Sequence, residues 1–406
     1  MARHVGGLKG NTVRILIAGI DGYLGWALAQ HLTVRGHTVA GLDALLRRDW
    51  VAEVGADSAL PIADLPDRVA AFEAHFGVPL TVYQGNLLDY GFTRLALAEF
   101  QPDAVVHLAE MPSAPYSMID PAHAAFTQHN NVIGSLNVLW AMKEAVPEAH
   151  LVKLGTMGEY GTPNLDIPEG FFEVEYRGRR DVLPFPRQAN SLYHLSKVHD
   201  SNNVMFACRV WGLRATDVMQ GVVFGTHIDA MPADPRMATR LDYDQCFGTA
   251  INRFCCQAVI GHPLTVYGGG GMRRGFLPLR DSVQCLALAC EHPPTRGEYR
   301  VFNQFEQTYT IAELAALVHE AASDLGLSPT VQHIENPRAE PNEHYYNPDR
   351  QHLLALGYVP TTDLRGEVRR MLTDLLPHAD RIAKHRAALL PDIRWDGSKR
   401  PSQPLT

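Results

Sequence analysis

Short apolar runs alternate with amphipathic stretches from the beginning of the chain. Residues 12–18 (TVRILIA) read as a strand buried on both faces, 21–35 carry a helical period, and 37–43 form a second strand. Residues 80–84, 103–109 and 150–155 repeat the strand pattern with helical stretches between them, and 213–220 add a further strand. Strands of this kind separated by helices predict a doubly wound parallel sheet, because each parallel crossover lays a helix on one face. Between residues 44 and 79 the chain is longer than one tight crossover needs, and 65–76 within this insertion carry a helical pattern over a loop. After residue 221 prolines and glycines cluster and the strands shorten. The pattern divides the chain into an α/β unit over 12–222, a smaller mixed α/β part over 223–390 from which some segments return to the first unit, and a loosely held tail over 391–406.

Composition narrows the class. Of 406 residues 46% are hydrophobic, enough for a sizeable core. The 36 lysines and arginines face 44 acids, a net charge of −8, which argues against a nucleic acid or an anionic membrane as the main partner. No apolar run approaches the roughly 18 residues of a membrane span, and the first eleven residues lack the apolar segment of a signal peptide. Six cysteines without a Cys-x-x-Cys pair read as reduced packing residues, so a cytoplasmic protein is expected. The 19 histidines are scattered, no His-Glu-x-x-His occurs, and Cys255 and Cys256 are helical neighbours whose side chains diverge; no metal site is expected.

Two motifs carry chemistry. Gly19, Gly22 and Gly25 form Gly-x-x-Gly-x-x-Gly between the first strand and its helix. Glycines there let the backbone approach a pyrophosphate whose charge rests on the helix N-terminus. Asp43, 18 residues past Gly25, ends the next strand, where a carboxylate accepts adenosine ribose hydroxyls and favours NAD. Arg47 and Arg48 close by are cations that would tolerate the extra phosphate of NADP. The second motif is Tyr193-x-x-x-Lys197, which puts both side chains on one face of the helix expected over 191–211. A phenol is a poor base at neutral pH, but an adjacent ammonium and a cationic nicotinamide favour its phenolate. Thr156, at the carboxyl end of a strand 37 residues earlier, would hydrogen-bond the same substrate oxygen.

Together these motifs resemble the extended short-chain dehydrogenases, the Rossmann-fold family of NAD-dependent nucleotide-sugar epimerases and dehydratases. Longer blocks are similar to the UDP-sulfoquinovose synthase branch of it: SAPYSMID (113–120), TQHNNVIG (127–134), HLVKLGTMGEYGTPN (150–164), YHLSKVHDS (193–201), RLDYD (240–244), GHPLTVYG (261–268), RVFNQF (300–305) and EHYYN (343–347). The resemblance implies transient oxidation of UDP-glucose at C4 with NAD, loss of the C5 proton, elimination of water across C5–C6, addition of sulfite at C6 and re-reduction at C4. It implies that Gly22, Tyr23, Leu24, Asp43, Arg47, Asn86, Leu87, Leu108, Asn130 and Val223, with Tyr193 and Lys197, line the NAD site. Gln220, Arg274 and Arg338, beside Thr156, would hold the nucleotide sugar. His194 and Glu159 are candidates for proton transfer at C5 or C6. Related enzymes commonly pair as homodimers through two long helices.

The chain departs from that branch at Met111-Pro112, where the synthases carry Gln-Arg facing the sugar or the sulfite donor. Proline brings neither charge nor N–H to an incoming anion. Asn86 stands in place of an aspartate beside the adenine, and Phe276-Leu277-Pro278-Leu279 is less polar than its counterpart. Arg273 is an additional cation of unassigned position. The departure leaves a second outcome open, a 4-epimerase or dehydratase on another or longer-chain nucleotide sugar. Met157-Gly158 after Thr156, in place of the dehydratases' Asp-Glu, favours the epimerase of these two. A non-catalytic NAD-binding regulator would be expected to have lost Tyr193 or Lys197.

Overall fold

The computed structural model describes residues 12–338, 340–341, 343–361 and 363–398. Seven parallel strands form the central sheet: β1 (Arg14–Ala18), β2 (Thr38–Asp43), β3 (Thr81–Gln84), β4 (Ala104–His107), β5 (His150–Thr156), β8 (Arg214–Gln220) and β12 (Tyr299–Gln304), in spatial order β12-β8-β5-β4-β1-β2-β3. The chain order reverses between β1 and β4, so a crevice opens at the carboxyl ends of these strands, where ligands of doubly wound sheets bind. β12 shows that the sheet borrows a strand from the second half of the chain. Its register along β8 runs from Tyr299 opposite Ala215 to Gln304 opposite Gln220.

The continuous apolar pattern of β1 has a direct packing reason. Ile15 and Ile17 point into one core, with Trp26, Leu28, Val283, Leu286 and Phe302. Leu16 and Ala18 point into the opposite core, with Leu97, Leu139, Leu151 and Val204. The first layer is built on α1 (Tyr23–Val34) and includes α3 (Leu65–Phe76) and α9 (Leu279–Glu291). The second holds α4 (Tyr90–Phe100), α6 (Gly134–Ala145) and α7 (Leu192–Trp211). The insertion carries α3 over the residues its periodicity marks, and also a short α2 (Leu46–Glu53) that the sequence reading left within a loop. Only Val51 of α2 is buried, so its apolar signal is weak. One π-helical turn, His129–Ile133, joins α5 (Pro121–Gln128) to α6. An exposed hairpin of β6 (Phe171–Tyr176) and β7 (Arg179–Pro184) precedes α7.

The second half packs a separate core from α8 (Ala250–Val259), α10 (Ile311–Ser323) and α12 (Leu364–Leu375). Two small sheets accompany it: β9 (Val222–Phe224), β11 (Arg273–Pro278) and β13 (Gln307–Thr310) in one, β10 (Leu264–Tyr267) and β14 (Val331–Ile334) in the other. Helices α11 (Gln351–Ala355) and α13 (Ala379–Lys384) complete it. All six cysteines are buried and unpaired. Among the described residues no helix is long and apolar enough to cross a membrane. The tail divides in two. Residues 399–406 lie outside the described residues, as do 1–11, whereas 391–398 are ordered against the protein with Trp395 buried, which corrects the expectation of a loosely held end.

Candidate active site

At the carboxyl edge of the sheet a cavity of about 470 Å³ runs between the strand ends and the second half of the chain. Its floor begins where β1 ends. The chain turns at Gly19 with φ +94°, and a Cβ there would stand 2.9 Å from the Ala109 nitrogen. A Cβ on Gly25 would stand 2.1 Å from the Gly19 carbonyl oxygen. Only glycine lets α1 and this turn approach so closely. Helix α1 starts at Gly22 with no side-chain cap and no acid in its first turn. Its unpaired N–H groups and positive dipole end therefore suit a pyrophosphate.

Asp43 lines the same wall and accepts backbone N–H bonds from Asp21 (2.8 Å) and Leu45 (2.7 Å). Burial pushes its carboxyl up against the pull of those two bonds. A carboxylate keeps acceptor sites beyond these two for ribose hydroxyls. Gly19, Gly22, Tyr23, Leu24, Gly25, Arg47, Asn86, Leu87, Leu108, Asn130 and Val223 line the cavity too, so the residues present fit NAD. The two arginines are already engaged. Arg47 is held by Asp242 (2.7 Å) and lies over the Phe247 ring, and Arg48 grips Asp21 (2.8 and 2.9 Å) away from the cavity wall.

Thr156, at the end of β5, and Tyr193 line the same cavity. Thr156 caps a short 3-10 turn, its hydroxyl accepting the Gly158 N–H at 3.1 Å. Ser191 caps α7 by accepting the His194 N–H (3.1 Å), which sets Tyr193 and His194 on the cavity wall beside Thr156. The Tyr193 ring packs on an apolar cluster containing Met111 and Tyr116. Burial, reinforced by the charge of Glu110, pushes the Tyr193 phenol up, so without added positive charge it stays protonated. Burial lowers His194 to about 3, with Arg338 and Arg274 adding to the effect, so this ring is neutral at working pH.

Three expected contacts differ. Lys197 does not reach the cavity; its ammonium is ion-paired with Glu110, whose carboxylate does line the wall. Burial alone would push the Lys197 ammonium down, but Glu110 and the neighbouring Asp200 more than offset this and hold it above its ordinary value. Met111 is fully buried behind the wall, its backbone clamped by the Asn131 side chain (2.8 and 3.1 Å), so only Pro112 faces a substrate. Glu159 is turned into the protein. It accepts from Arg187 (2.6 Å), Ser201 (3.1 Å) and the Thr156 backbone N–H (3.2 Å), and lies 3.5 Å from Lys153. Glu159 therefore does not line the cavity, and its bond to the Thr156 N–H ties it to the end of β5.

The sugar and phosphate side comes from the second half. Gln220, Arg274 and Arg338 line the cavity with Thr156 and Pro112. Both guanidiniums lie on Glu340, Arg274 at 2.5 Å and Arg338 at 3.5 Å, making a paired cationic locus that suits a diphosphate. Arg273 points elsewhere, to the Thr308 carbonyl (3.0 Å) and Glu313, and supplies no cation here. Among the described residues no group of His, Cys, Asp or Glu is arranged to hold a metal ion. Two participants escaped the sequence reading. Glu110 gave no signal because its partner is 87 positions away, and Trp395, which lines the cavity, was hidden in a Pro/Ser-tinged end.

Comparison with known proteins gives the family. Residues 15–303 match the model of the NAD dependent epimerase/dehydratase family. The chain is 47% identical over 390 residues to the chloroplastic UDP-sulfoquinovose synthase of Spinacia oleracea, covering 95% of this chain and 80% of that one. It is 46% identical over 384 residues to the UDP-sulfoquinovose synthase of Sulfolobus acidocaldarius, covering 94% and 98%. Among solved structures, the Thermus thermophilus UDP-glucose 4-epimerase complex with NAD shares the fold, with a TM-score of 0.62, 23% identity, and 89% and 98% of the two chains covered.

The placement of Glu159 yields a test. Glu159→Gln removes one of two acids that balance buried Lys153 and Arg187, and a loss of about 3–5 kcal/mol in unfolding free energy is expected by urea denaturation. Unchanged stability with abolished turnover would return Glu159 to proton transfer.

Proposed function

The chain belongs to the NAD dependent epimerase/dehydratase family and uses NAD, and from this premise we propose that it oxidises UDP-glucose transiently at C4 in the manner of a UDP-sulfoquinovose synthase. The reading rests on one observation above others: Thr156 and Tyr193 share a wall with the uncapped start of α1, and the Arg274–Arg338 pair lines the same cavity. The identity of 46–47% to two synthases over most of the chain supports the choice of substrate.

Bound NAD supplies the acceptor, and later the donor, of the C4 hydrogen with its electron pair. The protein handles the protons. Tyr193 as phenolate takes the C4 hydroxyl proton, and Thr156 hydrogen-bonds the same oxygen and orients it. Because burial and Glu110 oppose the phenolate, it forms only with positive charge beside it; Lys197 offsets Glu110 by pairing with it, and the cationic nicotinamide would supply the rest. A C4 ketone acidifies the C5 proton. Neutral His194 next to Tyr193 offers a ring nitrogen to receive it. A diphosphate on Arg338 and Arg274 offsets two charges that depress His194, so its basicity rises when substrate is in place.

A second reading, a 4-epimerase, is favoured by Pro112. This residue brings no charge to the wall where sulfite would need a cation. Epimerisation needs only that the C4 ketone turn its other face before re-reduction. The reading also includes a homodimer through α6 and α7, which touch each other and expose Trp140, Leu195, Phe206 and Val210.

Incubation of the enzyme with UDP-glucose in deuterated water, with and without sulfite, separates the outcomes. Deuterium at C5 with a sulfonated product is expected for the synthase, whereas inversion at C4 without exchange supports the epimerase. Neither change in any nucleotide sugar would overturn C4 oxidation. Tyr193→Phe is expected to lower kcat by about 10²–10⁴-fold with NAD content unchanged. Pro112→Arg should raise sulfite-dependent turnover; an unaltered rate would show that another residue carries the anion. In sedimentation, Phe206→Glu should convert a dimer to a monomer, and a wild-type monomer refutes the pairing.

A further inference from the structure

Residues 391–395 are built into the cavity. The N–H groups of Asp392 and Ile393 donate to Gln245 Oε1 at 2.8 and 3.3 Å. Arg394 grips Glu335 with two N–H···O bonds of 2.8 and 2.6 Å. The Trp395 N–H donates to the Pro337 carbonyl at 3.0 Å. The segment therefore ties the loop that starts at Gln245 to the loop that carries Arg338, and both loops line the cavity.

Between these anchors Trp395 presents its ring to the cavity while only 8% exposed. Its centroid is 5.3 Å from the Arg338 guanidinium carbon and 6.5 Å from the His194 ring. Arg338 marks the phosphate end. His194, with its ring 5.1 Å from that of Tyr193, marks the oxidation end. The indole stands between them, and a sugar linked to a diphosphate must cross the same interval for its C4 hydroxyl to meet Tyr193. A flat apolar ring there covers the C–H face of a pyranose, displaces water from it and leaves the hydroxyls to polar partners.

Resting on the reading that the cavity takes a nucleotide sugar, we infer that Trp395 is a sugar-stacking, specificity-determining residue, and that the chain's end is a working part of the site. It selects for the pyranose of the ligand and is indifferent to the free nucleoside diphosphate.

Calorimetric titration of the full-length holoenzyme with UDP-glucose and with UDP tests this. Trp395→Ala should weaken UDP-glucose binding at least about tenfold and leave UDP within about twofold, while Trp395→Phe recovers most of the loss. NAD content, measured after release, should match the wild type in both variants. Equal weakening of both ligands would make Trp395 only a support for Arg338, and unchanged UDP-glucose affinity would remove it from the sugar's path. Either result overturns the inference. Wild-type holoenzyme that binds UDP but no nucleotide sugar would overturn the proposed function itself, and this inference with it.

Discussion

Beneath the end of β5 lies a cluster of four buried charges on which the catalytic geometry depends. Lys153 sits 3.5 Å from Glu159 and 3.4 Å from Asp217, and Arg187 holds Glu159 at 2.6 Å. Ser201 and the Tyr299 hydroxyl close the network onto Asp217 at 2.5 and 2.6 Å. Four buried charges are tolerable because two acids face two bases and hydrogen bonds take up much of the remaining capacity. The cluster joins β5, α7, β8 and β12, so the strand borrowed from the second half is tied to the loop that carries Thr156. A shift in any of these elements would strand a charge, which makes the position of Thr156 rigid.

Above this cluster the charges are arranged for a different purpose. Glu110 and Lys197 form a buried pair directly behind the wall that bears Tyr193. Burial, with the charge of Glu110 adding to it, pushes the Asp200 carboxyl well up, and both its oxygens lack a hydrogen-bond partner. The pair behind the phenol is one cation and one anion. Burial, with the charge of Glu110 adding to it, pushes the Tyr193 phenol up and so favours its protonated form.

The two halves of the chain divide the work. The parallel sheet provides the uncapped helix end, Asp43 and the Thr156–Tyr193 wall, while the second half provides the paired arginines on Glu340 and the closing segment at Trp395. His194 links them, because its protonation responds to arginines more than 70 residues away. Pro112 brings no charge to its part of the cavity, which Thr156, Tyr193, Arg274 and Arg338 also line.

Local patterns reached a long way here. The continuous apolar run of β1, the glycine turn with Asp43, the bounds of α3 and the Tyr193–Lys197 spacing were legible in the sequence because each depends on neighbours within about one supersecondary unit. What depends on distant partners was not. Glu159 and His194 looked equivalent as candidate proton carriers, and only packing turned one into the ion cluster and the other into the cavity. Met111 and Pro112 are adjacent, yet Asn131 pulls one behind the wall and leaves the other on it. The strand β12, the pairing of Lys197 with Glu110 and the anchoring of Trp395 join positions scores to hundreds of residues apart. Sequence by itself determined the elements and the type of chemistry, since those follow from backbone geometry and short spacings. Tertiary structure decided which side chains meet, because burial and charge pairing are settled only when distant segments close on each other.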